Sequence, residues 1–355
     1  MAIDYSAGLS EDREYVFAEQ PADPEMRESV NTWVWDDGTE YGMPRIGVEA
    51  VADQWETHDI QFNLAFANGR ILNMFGSGKV HDPLGADGKP RILGAGPIEF
   101  ELVKPFEHWK AHIRGDATVT TIEAQIGGAQ PGSGTGEVVP VELEYDIRSA
   151  APPWESGSLL EVAGRVLATQ EEGDLMGGPR FEQLFRTTGT LRVGDDEYAL
   201  NGGGLRIRRA GVRRLAAFRG HVWQSTVFPS GRAFGLCLYP PRDDGKDTFN
   251  EGFLFEGDGE LIPAWVTDAP WLRDLAPKGQ DTTVTLETED GRTETIRGTT
   301  VLSTCMVMNA ASAGNDGAGR GMGNFRLQQA VCEYEWDGES ATGMIERSSA
   351  SSDVG

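Results

Sequence analysis

Residues 141–147 read VELEYDI. Val141, Leu143, Tyr145 and Ile147 alternate with Glu142, Glu144 and Asp146, the period-two pattern of a strand with one face buried and the other in water. The same unit recurs along the chain, separated by tight-turn pairs. Asn68-Gly69 divides FNLAFA from RILNMF, Gly194-Asp195 divides TGTLRV from EYAL, and Asp258-Gly259 divides FLFEG from ELIPAWV. Asp290-Gly291 divides TVTLETE from RTETI, while Asp37-Gly38 and Asp337-Gly338 follow the aromatic runs Trp33-Val34-Trp35 and CEYEW. These pairs tolerate the positive φ angles that two-residue hairpins need. Hairpin-connected strands close into barrels or sandwiches, so an all-β protein with little helix is expected.

One stretch reads as helical. Ser158 to Thr169 places Leu159, Val162, Ala163, Val166 and Leu167 on one face, between Pro152-Pro153-Trp154 and the Gly177-Gly178-Pro179 breaker. A lone helix between strand-rich halves predicts a domain connection. The expected organisation is a β domain over 1–155, a helical connection over 156–180 and a second β domain over 181–355. The glycine-rich segments 127–136 and 309–323 read as long loops.

The chain has 355 residues, 31 Lys+Arg and 56 Asp+Glu, for a net charge of −25. This length fits two domains of ~100–200 residues. The negative surface disfavours nucleic acid or an anionic membrane as a main partner, because both would repel it. Residues 1–60 alone carry 15 acids and three bases. The acidic N-terminus lacks the basic start and apolar run of a secretory signal, and no apolar stretch approaches the ~20 residues of a spanning helix. Cys237, Cys305 and Cys332 lie far apart, which fits a reducing compartment. A soluble cytoplasmic protein without membrane insertion is expected.

Several signatures fail. GSGKV at 76–80 lacks the upstream glycine and the hydroxyl of a P-loop, and GAGRGMG at 317–323 has its glycines at the wrong spacing for a dinucleotide fold. His108 and His112 lie in the alternating FEHWKAHI and read as solvent-side histidines, so no metal site is expected. There is no GxSxG elbow.

Residues 202–242 are compositionally unusual, with eight arginines, one histidine and no acid. Either the arginines pair with acidic strands next door, or they form an electropositive wall that orients a polar or anionic substrate group. Within this segment, alternation puts His221, Trp223 and Ser225 on one strand face, with Arg232 and Tyr239 further along.

RFEQLFRTTGTLRVGDDEYALNGGGLRIRR (180–209) resembles the EQ, strand, glycine-turn, G-x-G-x-R stretch of the two-domain lipocalin-like superfamily that includes carotenoid 1,2-hydratases and kievitone hydratase. GHVWQSTVFPSGRAFG is similar to its following strand pair, CEYEWDGESATGMIERS to its terminal strand pair, and FELVKPFEHWKAHIRG to an N-terminal strand. The resemblance spans roughly residues 25–348, and the order of the motifs carries it. One departure is plain. Relatives carry Arg-Asp-His-Ser-Trp-Gly after the G-x-G, whereas this chain has Arg206-Ile207-Arg208-Arg209-Ala210-Gly211. His221 and Trp223 either replace the missing acid and histidine or belong to another motif.

The resemblance implies two lipocalin-like β domains enclosing an apolar ligand site, and cofactor-independent hydration, dehydration or isomerisation of a terpenoid, steroid or polycyclic molecule. Adding water to an alkene needs a strong proton donor, groups that stabilise a cation, and a base for water. A desolvated carboxylic acid and indole faces suit the first two roles. The candidate acids and bases are Glu182, Glu251 and His221. Trp223, Trp33, Trp35, Trp265 and Tyr239 are the candidate lining, and Arg206 or Arg232 would hold a polar substrate end. If Arg232 pairs with Glu182 or Glu251, that carboxylate becomes a base instead of an acid. The alternative is a non-catalytic carrier of a lipophilic ligand.

Overall fold

The computed structural model describes residues 3–130, 132–157, 161–162, 165–166, 178–212, 219–241, 245, 248–308 and 325–350. The chain is all-β. The N-terminal sheet takes β1 (Met26–Asp36), β2 (Tyr41–Val51), β3 (Thr57–Phe66), β4 (Arg70–Lys79), β5 (Ile92–Ala95), β6 (Ile98–Lys104), β7 (His108–Thr121) and β8 (Val138–Ser149). After the short β9 (Trp154–Glu155) and the pair β10 (Glu161–Val162) and β11 (Arg165–Val166), it also takes β12 (Arg180–Val193) and β13 (Asp196–Val212). The order is β4-β3-β2-β1-β13-β12-β8-β7-β6-β5, antiparallel throughout, with β9 paired to β12. The long β7 bonds to β6 through 108–113 and to β4 through 118–121, so the sheet curls back on itself.

The second unit is a closed barrel of β14 (Gly220–Val227), β15 (Ala233–Leu238), β16 (Asn250–Phe255), β17 (Ile262–Asp268), β18 (Val284–Thr288), β19 (Thr293–Met308), β20 (Phe325–Trp336) and β21 (Glu339–Ala350). Closure leaves no exposed strand edge, which suits a hairpin-built chain. Five of the six hairpin signals are met, and at the sixth the positive φ falls on Thr39 rather than on Gly38. Gly69, Gly194, Gly259, Gly291 and Gly338 all have positive φ, and Asp337 at φ 52 beside Gly338 at φ 79 makes the two-residue turn between Trp336 and Glu339.

Two expectations are corrected. The helix over 158–169 is not formed where the chain is described: Glu161 and Val162 pair antiparallel with Val166 and Arg165. The remaining residues of that stretch, and the expected loop at 309–323, lie outside the described residues. Gly164 in that stretch of sequence has a low helix propensity. Sheet membership, moreover, changes between residues 212 and 220 rather than within 156–180. The reason is pairing: all eleven residues of β1 align with β13, and the whole of β12 aligns with residues 196–209 of β13. The described helix α1 (Ile122–Ile126) is one turn, capped by Thr121 Oγ1. No described helix is long and apolar enough to cross a membrane.

The alternation of each strand produces three apolar layers. One fills the N-terminal sheet, with Val34, Phe62, Leu72, Ile113, Leu143 and Phe185. Another fills the C-terminal barrel, with Val222, Phe234, Leu286, Ile296, Tyr334 and Ile345. The middle layer lies where the outer faces meet: Trp33, Trp35, Leu184 and Leu205 from the sheet against Trp223, Phe253, Val331 and Met344 from the barrel. Burying one such side chain contributes roughly 1.5–3 kcal/mol, so this interface is a core in its own right. Glycines permit the closest approach. A Cβ at Gly204 would lie 2.1 Å from Phe185 Cζ, and one at Gly42 would lie 2.6 Å from Val331 Cγ2.

Candidate functional site

Trp223 is the meeting point of the middle layer. On β14 it stands opposite Glu346 of β21, and its indole Nε1 donates to Glu182 Oε2 of β12 at 2.9 Å. Its ring meets Trp33 edge-on, with centroids 4.6 Å apart. The Arg180 guanidinium lies 5.9 Å from the Trp223 ring, and the Arg45 guanidinium lies 5.4 Å from the Trp33 ring. Two indoles are thus flanked by two cations and two carboxylates.

Glu182 is buried, 3.3 Å from Arg180. Burial pushes its carboxyl up to about 7, against the pull of Arg180, the Trp223 hydrogen bond and Arg209, and with a push from the nearby Glu251 charge. A carboxyl so placed exists in both protonation states near neutral pH, the condition for general acid–base work. Glu251 is fully buried and accepts from Trp154 Nε1 at 3.0 Å and Gly157 N at 2.9 Å, so it ties the β9 segment to the barrel. Tyr239 packs on Phe249, and burial raises its phenol far above the ordinary range.

His221 lies two residues before Trp223 on the same strand face, as alternation predicts. Its Nε2 donates to Glu346 Oε1 at 3.1 Å, and its Nδ1 lies 2.6 Å from Ser348 Oγ, which also accepts the His221 main-chain N–H. Burial alone would raise the Glu346 carboxyl. The hydrogen bond and charge of His221, the Arg45 charge and Gln329 outweigh it and hold the group at about 2. From Glu346 the chain of hydrogen bonds passes through Gln329 to Asn63 and Asn73 of the N-terminal sheet.

The other expected residues stand elsewhere. Trp35 shares the middle layer with Trp33. Arg206 points to the opposite side of β13, into the N-terminal sheet, where it meets Glu14 at 2.6 Å and Gln183 at 3.1 Å beside Trp109 and Phe181. Arg232 is at the barrel surface, paired with Glu256 and Asp337 and stacked 3.6 Å from the Trp336 ring, so it pairs with neither Glu182 nor Glu251. Trp265 is buried but belongs to none of the three apolar layers. Most of the described arginines of 202–242 follow the pairing reading: Arg208 meets Glu28 at 2.5 Å and Arg209 meets Glu49 at 3.8 Å. Of the two histidines read as solvent-side, His112 is exposed beside Glu144, whereas His108 is buried against Asp146.

Arg45, Arg180, Glu346 and Ser348 escaped the sequence reading. Met344, Glu346 and Ser348 alternate on one face of β21, and that pattern was the available signal for the last two. A cleft of about 430 Å³ opens at one end of the interface, lined by Asp37, Arg148, Arg186, Thr187, Gly202 and Pro229 among others. Arg186 spans it to Phe228 O at 2.7 Å. Gly202 in its wall adjoins Gly203, where a Cβ would lie 3.0 Å from Trp35 Nε1.

The sequence profile of a family described as a domain of unknown function, DUF7064, matches residues 12–350. The chain belongs to the DUF7064 family. No curated protein matches it in sequence. Among solved structures, this DUF7064 chain is similar to a protein of Nitrosomonas europaea assigned as AttH, at 12% identity over 91% of each chain and a TM-score of 0.57. It is also similar to CghA, solved with Sch210972, at 10% identity over 93% of this chain and 89% of that one, with a TM-score of 0.50. Kievitone hydratase from Nectria haematococca aligns at 9% identity over 96% and 94%, with a TM-score of 0.48. At these identities the likeness is one of fold. The shared fold agrees with the two-unit all-β architecture expected from the motif order.

Proposed function

We propose that this protein is a cofactor-independent hydratase or dehydratase, or an isomerase of the same chemistry, for an apolar terpenoid, steroid or polycyclic substrate bound between the sheet and the barrel. The observation that supports this most is Glu182, a buried carboxyl near half-protonation at neutral pH, hydrogen-bonded to an indole that meets a second indole at 4.6 Å. In the hydration direction the Glu182 carboxylic acid gives its proton to one alkene carbon. The cation left on the neighbouring carbon is stabilised by the faces of Trp33 and Trp223. Water adds there, and its surplus proton returns to the Glu182 carboxylate, so the atoms balance without a cofactor. His221, held between Glu346 and Ser348, is the second candidate for that base. Dehydration is the reverse sequence.

The test is incubation of the protein with a panel of terpenoid and steroid alkenes and tertiary alcohols in ¹⁸O-water, read by mass spectrometry. Gain or loss of one water, present in the native protein and absent in Glu182→Gln, is the expected result. Tight binding of the same compounds with no product after prolonged incubation would sink the enzyme reading and leave a lipophilic carrier.

A further inference from the structure

The open cleft at the end of the interface has a cationic row in it that the Glu182 chemistry does not use. Antiparallel register sets His108 of β7, Arg148 of β8, Arg186 of β12 and Gly203 of β13 side by side, and register partners share a face. On β12 this is also the face of Glu182 and Leu184, but Arg186 stands four residues beyond Glu182, roughly 13 Å along the strand. The next row on the same face is Asp146, Thr188 and Asn201. Arg148, Arg186, Thr188 and Asn201 all line the cleft, together with Asp37 from the turn after β1 and Pro229 from the turn after β14.

Like charges set directly opposite each other in a sheet are unfavourable unless an anion stands between them. Asp146 answers part of the row, at 2.5 Å from His108 and 3.7 Å from Arg148. Arg186 has no such partner. No carboxylate of the described residues lies within 4.0 Å of it, and its hydrogen bond goes to a neutral acceptor, the Phe228 carbonyl oxygen, at 2.7 Å. Asp37 feels the Arg186 charge, yet burial outweighs that pull and, with Asp36 adjacent, keeps the Asp37 carboxyl above its ordinary range. Asp37 therefore tempers the cleft without neutralising it. The lining sets two guanidiniums against one carboxylate, in a chain with 25 excess negative charges.

We propose that this cleft binds the oxyanion of a small molecule, a carboxylate or a phosphate, between the guanidiniums of Arg148 and Arg186. At about 430 Å³ the opening has the size of a small-molecule site. Guanidinium presents paired N–H donors that match either oxyanion, and Thr188 and Asn201 offer hydrogen bonds to the rest of the ligand. Arg186 also holds the Phe228 carbonyl, next to Pro229 in the lining, so sheet and barrel build the site together. This site goes beyond the proposed hydration chemistry, and neither reading depends on the other.

Benzoate and phenyl phosphate serve as anionic probes, and benzamide is the neutral counterpart of benzoate. Each is titrated into the full chain by isothermal calorimetry at low ionic strength. At least one anion is expected to bind about ten-fold or more tightly than benzamide, and which anion does so tells a carboxylate site from a phosphate site. Arg148→Gln alters a side chain that is 62% exposed, so the melting temperature should hold while anion affinity falls. The expected fall is about five-fold or more. Asp37→Asn should instead tighten the anion about three-fold by removing the competing charge, a gain that no structural role for Asp37 would give. Equal binding of the anions and benzamide, or anion affinity unmoved in either variant, would overturn the proposal.

Discussion

The indole N–H of Trp223, on the first strand of the barrel, donates to Glu182 Oε2, on a strand of the sheet, at 2.9 Å. This contact makes one proton-bearing group depend on two units that share no backbone hydrogen-bond ladder among the described residues. Sliding of one unit over the other would remove the donor and leave a buried acceptor unmatched, at about 1–3 kcal/mol. Trp223→Phe keeps most of the ring and removes the donor. It is expected to raise the Glu182 pKa further, because the indole hydrogen bond favours the ionised form. A carboxyl titration by NMR or infrared spectroscopy that is unmoved in this variant would count against the linkage.

Glu182 also ties stability to pH. Its carboxyl rises from an ordinary 4.5 to about 7 in the folded chain, so the folded state keeps a proton that the unfolded state releases. The resulting stabilisation, on the order of 3 kcal/mol, is complete below about 4.5 and lost as pH rises through about 7. Between pH 5 and 8 the melting temperature of the native protein should fall more steeply than that of Glu182→Gln. Parallel curves would refute the assignment.

Glu346 behaves in the opposite sense. Its carboxyl is lowered from 4.5 to about 2, so its contribution is present above about 4.5 and disappears as pH falls toward 2. Glu346→Gln should lose on the order of 3 kcal/mol at pH 7 by urea unfolding, with the gap to the native protein narrowing in acid. A gap that is constant from pH 7 to pH 3 would show that the carboxylate charge is immaterial.

Gly204→Ala tests the packing between β1, β12 and β13. The added Cβ would sit 2.1 Å from Phe185 Cζ and 2.4 Å from the Trp33 carbonyl oxygen, and the latter is backbone that cannot move aside. A loss of about 3 kcal/mol or more is expected by chemical denaturation. A change below about 0.5 kcal/mol would mean that the strands are further apart than described.

Arg206 is expected to be structural. Glu14 accepts from both Arg206 at 2.6 Å and Trp109 Nε1 at 2.5 Å inside the sheet. Arg206→Ala leaves that carboxylate buried opposite a void and should cost about 3–5 kcal/mol, whereas the double variant Arg206→Met with Glu14→Gln should recover most of it. Full stability in the single variant would reopen a role for Arg206 at a ligand.

The strands and turns were legible because their signals are local. Alternation in VELEYDI and positive-φ glycines such as Gly338 act within a few residues, and the structure agrees with them. Alternation also placed His221, Trp223 and Ser225 on one face. The partners of Arg206 and Arg232 were not legible because they are distant in the chain: Glu14 is 192 positions from Arg206, and Asp337 is 105 from Arg232. The helical spacing at 158–169 did not hold where the chain is described, since Glu161 and Val162 pair with Val166 and Arg165 through contacts that periodicity alone does not show.

By itself, then, the sequence determined the all-β class, the hairpin positions and an acid-free segment set against 25 excess negative charges, since each depends on neighbouring residues or on composition. The tertiary structure decided which arginines are neutralised, which strands join the sheet after residue 180, and that Glu182, Trp223, Trp33 and Arg45 converge. Those facts depend on contacts between residues far apart in the chain. Burial then sets the electrostatics: the push that moves Glu182 to about 7 exists only once both faces have closed over it.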